Sequence, residues 1–130
     1  MNGDRYFLVL GLIVTIFILI LLPGCGGGNG GKGVPPSSNT ITVSWNPNKE
    51  KLVNSPGGGY KLYYSRSAGF NPATPGVTVI DLPYISGSFS PTSKILTLSK
   101  GTWYCKLTAY INLNGVVTSL PSAEKSITVD

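Results

Sequence analysis

Histidine is missing from this sequence, and several other residue types are scarce. The 130 residues hold no His, two Cys, and only five acids against ten Lys and Arg. Without His there is no Ser-His-Asp triad, no Cys-His pair and no His-ligated metal site within the chain. Two Cys exclude a thiolate zinc cage and a multi-disulfide scaffold. The acids are Asp4, Glu50, Asp81, Glu124 and Asp130; no two lie close together in sequence, and none falls at calcium-loop spacing. Charged residues make up 12% of the chain, and Lys and Arg form no run, which argues against a nucleic-acid module. The net charge of +5 suits weak attraction to anionic polysaccharide or lipid headgroups. These absences speak against an enzyme and against any cofactor or metal. The length allows one domain.

What is abundant is unevenly placed. Tyr6 to Leu22 reads YFLVLGLIVTIFILILL, without a charge. A membrane span needs roughly 20 apolar residues, so this run is marginal as a span and slightly long for a signal-peptide apolar region. Leu21-Leu22-Pro23-Gly24-Cys25 closes it, with a small residue directly before a Cys. The pattern resembles the lipobox of bacterial lipoproteins. That resemblance implies a signal peptide over residues 1–24, cleavage between Gly24 and Cys25, and lipidation of Cys25 as the membrane anchor. The other reading is an uncleaved signal anchor with Cys25 a bystander. The residue after the Cys is Gly26 rather than the Asp that retains many such proteins at the inner membrane. The expected location is therefore the cell envelope, at the outer membrane or cell surface.

Residues 25–39 form a tether. Gly26 to Gly33 reads GGGNGGKG, followed by Val34-Pro35-Pro36. Gly-rich chain is flexible and Pro-Pro is stiff and extended, and neither buries a core. A phosphate-cradling loop needs a strand before it and a helix after it, and this segment has neither signal.

Residues 40–130 alternate apolar and polar positions between turn signals, the pattern of short strands. Such runs are Ile41–Trp45, Tyr60–Tyr64, Val77–Ile80, Ile95–Leu98, Trp103–Tyr110 and Ser126–Val129, with a turn at Asn114-Gly115. Six or seven short strands in about 90 residues predict an all-β, two-sheet antiparallel sandwich. The segments ITVSW (41–45), GYKLYY (59–64) and GTWYCKLTAY (101–110), with Asn114-Gly115 and Ser119-Leu120-Pro121-Ser122 before the last strand, resemble the fibronectin type III family in its bacterial extracellular form. The match covers Ile41 to Val129. It implies that Trp45 lies in the core, that no disulfide forms, and that the domain serves as a spacer or a protein-binding module. The expected function is a non-catalytic surface lipoprotein acting as a binding or adhesion module toward a protein or polysaccharide partner. The alternative is a structural subunit of a larger surface assembly, with self-assembly among its routes.

Two departures from the family pattern set specific expectations. Counting back from Ala109 by twos puts Trp103, not Tyr104, in the inward frame with Cys105 and Leu107. The opposite frame would bury Lys106. Outward positions then gather Lys61, Tyr63, Tyr104, Lys106 and Tyr110 into a candidate exposed binding face, or into plain cross-strand pairs on a solvated sheet. The family's first strand is weak or absent here, because the segment before Ile41 is Gly31-Lys32-Gly33-Val34-Pro35-Pro36. Ile41–Trp45 then has an open edge, capped by the tether or completed by a strand from another chain.

Overall fold

The computed structural model describes residues 38–130 and, as backbone, residues 16–19. Among the described residues every regular element is a β-strand: β1 (Ile16–Leu19), β2 (Ser38–Trp45), β3 (Gly59–Ser65), β4 (Thr78–Pro83), β5 (Ser93–Ser99), β6 (Gly101–Asn112), β7 (Val116–Thr118) and β8 (Lys125–Val129). They form two antiparallel sheets. One has the order β1-β2-β5; the other runs β4-β3-β6, with β7 and β8 both pairing the far edge of β6.

Alternation decides which side chains go inside. Ile41, Val43 and Trp45 of β2 and Leu96 and Leu98 of β5 are buried. So are Tyr60 and Leu62 of β3, Cys105, Leu107, Ala109 and Ile111 of β6, and Ile127 and Val129 of β8. Each set has the period of two that puts one strand face toward the opposing sheet. Val53, from the β2–β3 loop, joins this core. Trp103 is half-buried and packs against it. Its ring meets Tyr64 edge-on at 5.8 Å, so the inward frame on β6 begins at Trp103.

β7 and β8 are separated by Ser119–Glu124, yet the edge of β6 stays satisfied. The Ala109 N–H donates to Ser119 Oγ at 3.0 Å and the Leu107 N–H to Ser122 Oγ at 3.0 Å. The Ala109 and Leu107 carbonyls accept from the Ser119 and Ser122 amides, each at 2.8 Å. Two hydroxyls thus stand in for strand carbonyls across a Leu-Pro break where a regular ladder cannot run.

The structure revises two boundaries. β2 begins at Ser38, so Ser38 and Asn39 are strand residues paired with Ser99 and Leu98, not the end of the tether. The outer edge of β2 is not open in this chain: β1, from the apolar run Tyr6–Leu22, pairs with it from Ile16↔Trp45 to Leu19↔Thr42. The remainder of the tether, and Gly24 and Cys25 with it, lie outside the described residues.

Strand direction sorts the loops to two poles. β2, β4 and β6 all end where the β2–β3 loop, the β4–β5 loop and the Asn114-Gly115 turn lie. The opposite pole holds the start of β2 and the carboxyl end, joined by Asn39 Nδ2 donating to the Asp130 carbonyl at 2.8 Å.

Candidate functional site

Lys61, Tyr63, Tyr104, Lys106 and Tyr110 do share one sheet face. Tyr63 stands directly opposite Lys106, and Lys61 opposite Thr108. The face is not a free surface, however. Tyr110 is only 7% exposed, which corrects the expectation of a fully exposed patch. The reason lies in its partner across the ladder, Gly59, which has no side chain to hold the ring away from the strand. Burial first, and then the nearby Asp81 carboxylate, push the Tyr110 phenol up to about 12, and the Lys61 ammonium sits 5.6 Å from its ring centroid.

Lys106 is engaged as well. Its ammonium donates to the Phe70 carbonyl at 2.5 Å, lies 4.9 Å from the Phe70 ring centroid and pairs with Glu124 at 3.4 Å. Glu124 also accepts from the Gly69 amide through both carboxylate oxygens, at 2.9 and 3.0 Å. The β3–β4 loop is therefore clipped over the outer face of the sheet, with Phe70 buried beneath it. Tyr63 and Tyr104 remain half-exposed. Most of the recognition capacity that the sequence places on this face is spent inside the domain.

A second feature lies at the pole away from the start of β2. Pro47, Asn48 and Asn54 of the β2–β3 loop and Ser88, Phe89 and Pro91 of the β4–β5 loop line an open groove of about 600 Å³, flanked by Lys49. Its floor is fixed by hydrogen bonds. The Asn48 amide donates to the Tyr60 hydroxyl at 2.5 Å, and Asn48 Oδ1 accepts from the Glu50 amide at 2.8 Å. Asn54 Nδ2 donates to the Asn48 carbonyl at 2.7 Å, while Asn54 Oδ1 accepts from the Ser90 amide at 3.2 Å. The Ser90 hydroxyl donates to the Val53 carbonyl at 2.6 Å. The two loops are thereby stapled together.

Above this floor Phe89 is 74% exposed, whereas Asn48 is only 5% exposed. Among the described residues the Asn48 side-chain NH₂ has no hydrogen-bond partner. A stapled floor and a free aromatic ring are the parts of a recognition groove. The alternation that marks the strands takes in neither Asn48 nor Phe89. The available signal was an aromatic alone in a Ser-Gly-Ser-Phe-Ser run, where no core position calls for one.

Cys105 is fully buried. Burial first, and then the Glu124 charge, push its thiol up to about 12, which leaves it a small apolar filler rather than a nucleophile at neutral pH. Among the described residues no three His, Cys, Asp or Glu side chains gather as a metal site, and no helix is long and apolar enough to cross a membrane. Compared with protein-family models, with curated proteins and with solved structures, the chain gives no significant match.

Proposed function

We propose that this chain is an exported lipoprotein, anchored through Cys25, whose fibronectin type III-like domain is a non-catalytic binding or adhesion module at the cell surface. The lipobox-like LLPGC supports the anchor. The pairing order supports the family reading: β2 with β5 in one sheet, and β4-β3-β6 with a split last strand in the other, follow the order of the family's strands, and β1 takes the place of its first. The observation that carries the binding function is the groove's position. The tether joins the domain at Ser38, and the groove between Asn48 and Phe89 opens at the opposite pole, where a membrane-held domain meets its surroundings.

The groove's chemistry suits a polysaccharide. A ring face at Phe89 stacks on the apolar side of a sugar, and the exposed Lys49 answers acidic groups. The test is retention of the membrane-extracted protein on cell-envelope polysaccharide. Phe89→Ala removes an exposed ring and leaves the core untouched, so it should keep the fold and lose at least tenfold in retention. Equal retention of the variant and the parent would rule the groove out.

A second reading, a structural subunit of a surface assembly, is favoured by one feature: the outer edge of β2 accepts a strand from outside the domain.

A further inference from the structure

β1 lies wholly within residues 1–24, upstream of the cleavage proposed at Gly24–Cys25. Its pairing with β2, from Ile16↔Trp45 to Leu19↔Thr42, is therefore a property of the unprocessed chain. This inference rests on the lipoprotein reading, because processing there takes the strand away and leaves the Thr42–Trp45 edge uncovered.

Among the described residues of the processed chain, no other strand replaces it. β5 already holds the other edge of β2, and the remaining strands belong to the second sheet. The tether lacks the side chains. A hairpin turning at Pro36-Ser37 would set Gly28-Asn29-Gly30-Gly31 opposite Trp45 to Thr42, with no apolar residue to stand beside Val43 and Trp45 and little strand propensity. A second copy has no spare strand either. Its own β2 offers backbone groups, but Ile41, Val43 and Trp45 are buried in its own core.

The register defines what does fit. Ile18 stands opposite Val43 and Ile16 opposite Trp45, and both of these β2 side chains are buried in the core. Residues paired across an antiparallel ladder share a sheet face, so the occupant needs apolar residues two apart at these positions. The other two positions face Thr42 and Ser44 and place no such demand.

We propose that the β2 edge is a strand-acceptor site. The leader fills it in the precursor. In the processed protein it takes an extended strand of a different polypeptide, antiparallel to Thr42–Trp45 and apolar at alternate positions, by β-augmentation.

The test uses the full chain in detergent and the double variant Phe17→Pro/Ile18→Pro, which cannot maintain β1 in the ladder. Amide exchange is followed at Thr42–Trp45, with and without a peptide of residues 14–21 flanked by lysines. The expected result is a loss of protection of tenfold or more in the variant, at the alternate amides that do not point to β5, and its recovery on adding the peptide. Unchanged protection in the variant, or no recovery with peptide, would overturn the acceptor site. The lipoprotein reading is tested separately, by the mass of the protein extracted from native membranes. A chain still starting at Met1 would defeat that reading and the donated strand with it, even where the peptide binds. Protection of the processed chain that rises with its own concentration would assign the edge to a second copy and overturn the foreign strand.

Discussion

Tyr110 lies across Gly59. The two are partners in the β3–β6 register, and a Cβ on Gly59 would stand 2.8 Å from the Tyr110 hydroxyl, 2.8 Å from Pro83 Cα and 2.5 Å from the Leu82 carbonyl oxygen. The missing side chain makes a channel through which the phenol crosses one strand to reach Asp81 on the next. Gly59→Ala closes that channel against backbone that cannot yield, and overpacking of this kind costs about 1–3 kcal/mol. A denaturant titration of the variant should show that loss.

Alkali should unfold the domain in a defined window. Cys105 rises from 9.0 to about 12 and Tyr110 from 10.0 to about 12, and burial also raises Tyr60. Each group binds its proton more tightly folded than unfolded. Their contribution is complete below about pH 9 and is lost as the pH climbs toward 12. Tyr110→Phe removes one of these protons, so its stability should fall less steeply above pH 10 than that of the parent. Parallel curves would contradict the assignment.

The frame on β6 makes a comparative prediction. Trp103 packs against Tyr64, donates from Nε1 to the Ser99 carbonyl at 2.9 Å, and lies under the Arg66 guanidinium at 4.0 Å. Trp103→Ala should cost about 3 kcal/mol, the low end for a buried aromatic because the ring is half-exposed. Tyr104→Ala should cost about 1 kcal/mol or less. The reverse order in chemical denaturation would refute the frame.

Ser119 and Ser122 should be far more sensitive than other surface-loop serines. Ser119→Ala leaves the Ala109 N–H buried without an acceptor, a loss of about 1–3 kcal/mol. Amide exchange at Ala109 should quicken in that variant, and exchange at Leu107 in Ser122→Ala.

Glu124 holds the β3–β4 loop through the Gly69 amide and Lys106. Glu124→Ala should cost only about 1 kcal/mol globally, because the pair is partly solvated. It should release Gly69 to exchange at near-unprotected rates. Gly69 protection that survives would mean that Phe70 alone holds the loop.

The strands were legible because their side chains obey a two-residue period that few other structures share. β2, β3, β5, β6 and β8 fall where Ile41–Trp45, Tyr60–Tyr64, Ile95–Leu98, Trp103–Tyr110 and Ser126–Val129 alternate. β7 was not legible: Val116-Val117-Thr118 is three residues long and wholly exposed, so no alternation marks it. The β3–β6 register sets the five residues on one sheet face, but their engagement was not readable. Lys106 is consumed by Glu124 and by the Phe70 carbonyl, and Tyr110 by Asp81, across sequence gaps that no local pattern spans. The groove was missed for a related reason. It is built by two loops brought together through Asn54 and Ser90, and neither loop signals the other. β1 was hidden because an apolar run reads as a membrane or export segment before it reads as a strand.

The hydrogen bond between Asn39 and Asp130 places the start of β2 beside the end of β8, with the groove a full strand length away. A pull between Phe89, on the loop that leads into β5, and Ser38, at the start of β2, enters the two strands from opposite poles. It meets the β2–β5 ladder lengthwise, so the seven paired positions from Ser38↔Ser99 to Ser44↔Ser93 are loaded together in shear and do not peel apart one by one. Under the proposed anchoring, such a domain resists traction along its length better than across it.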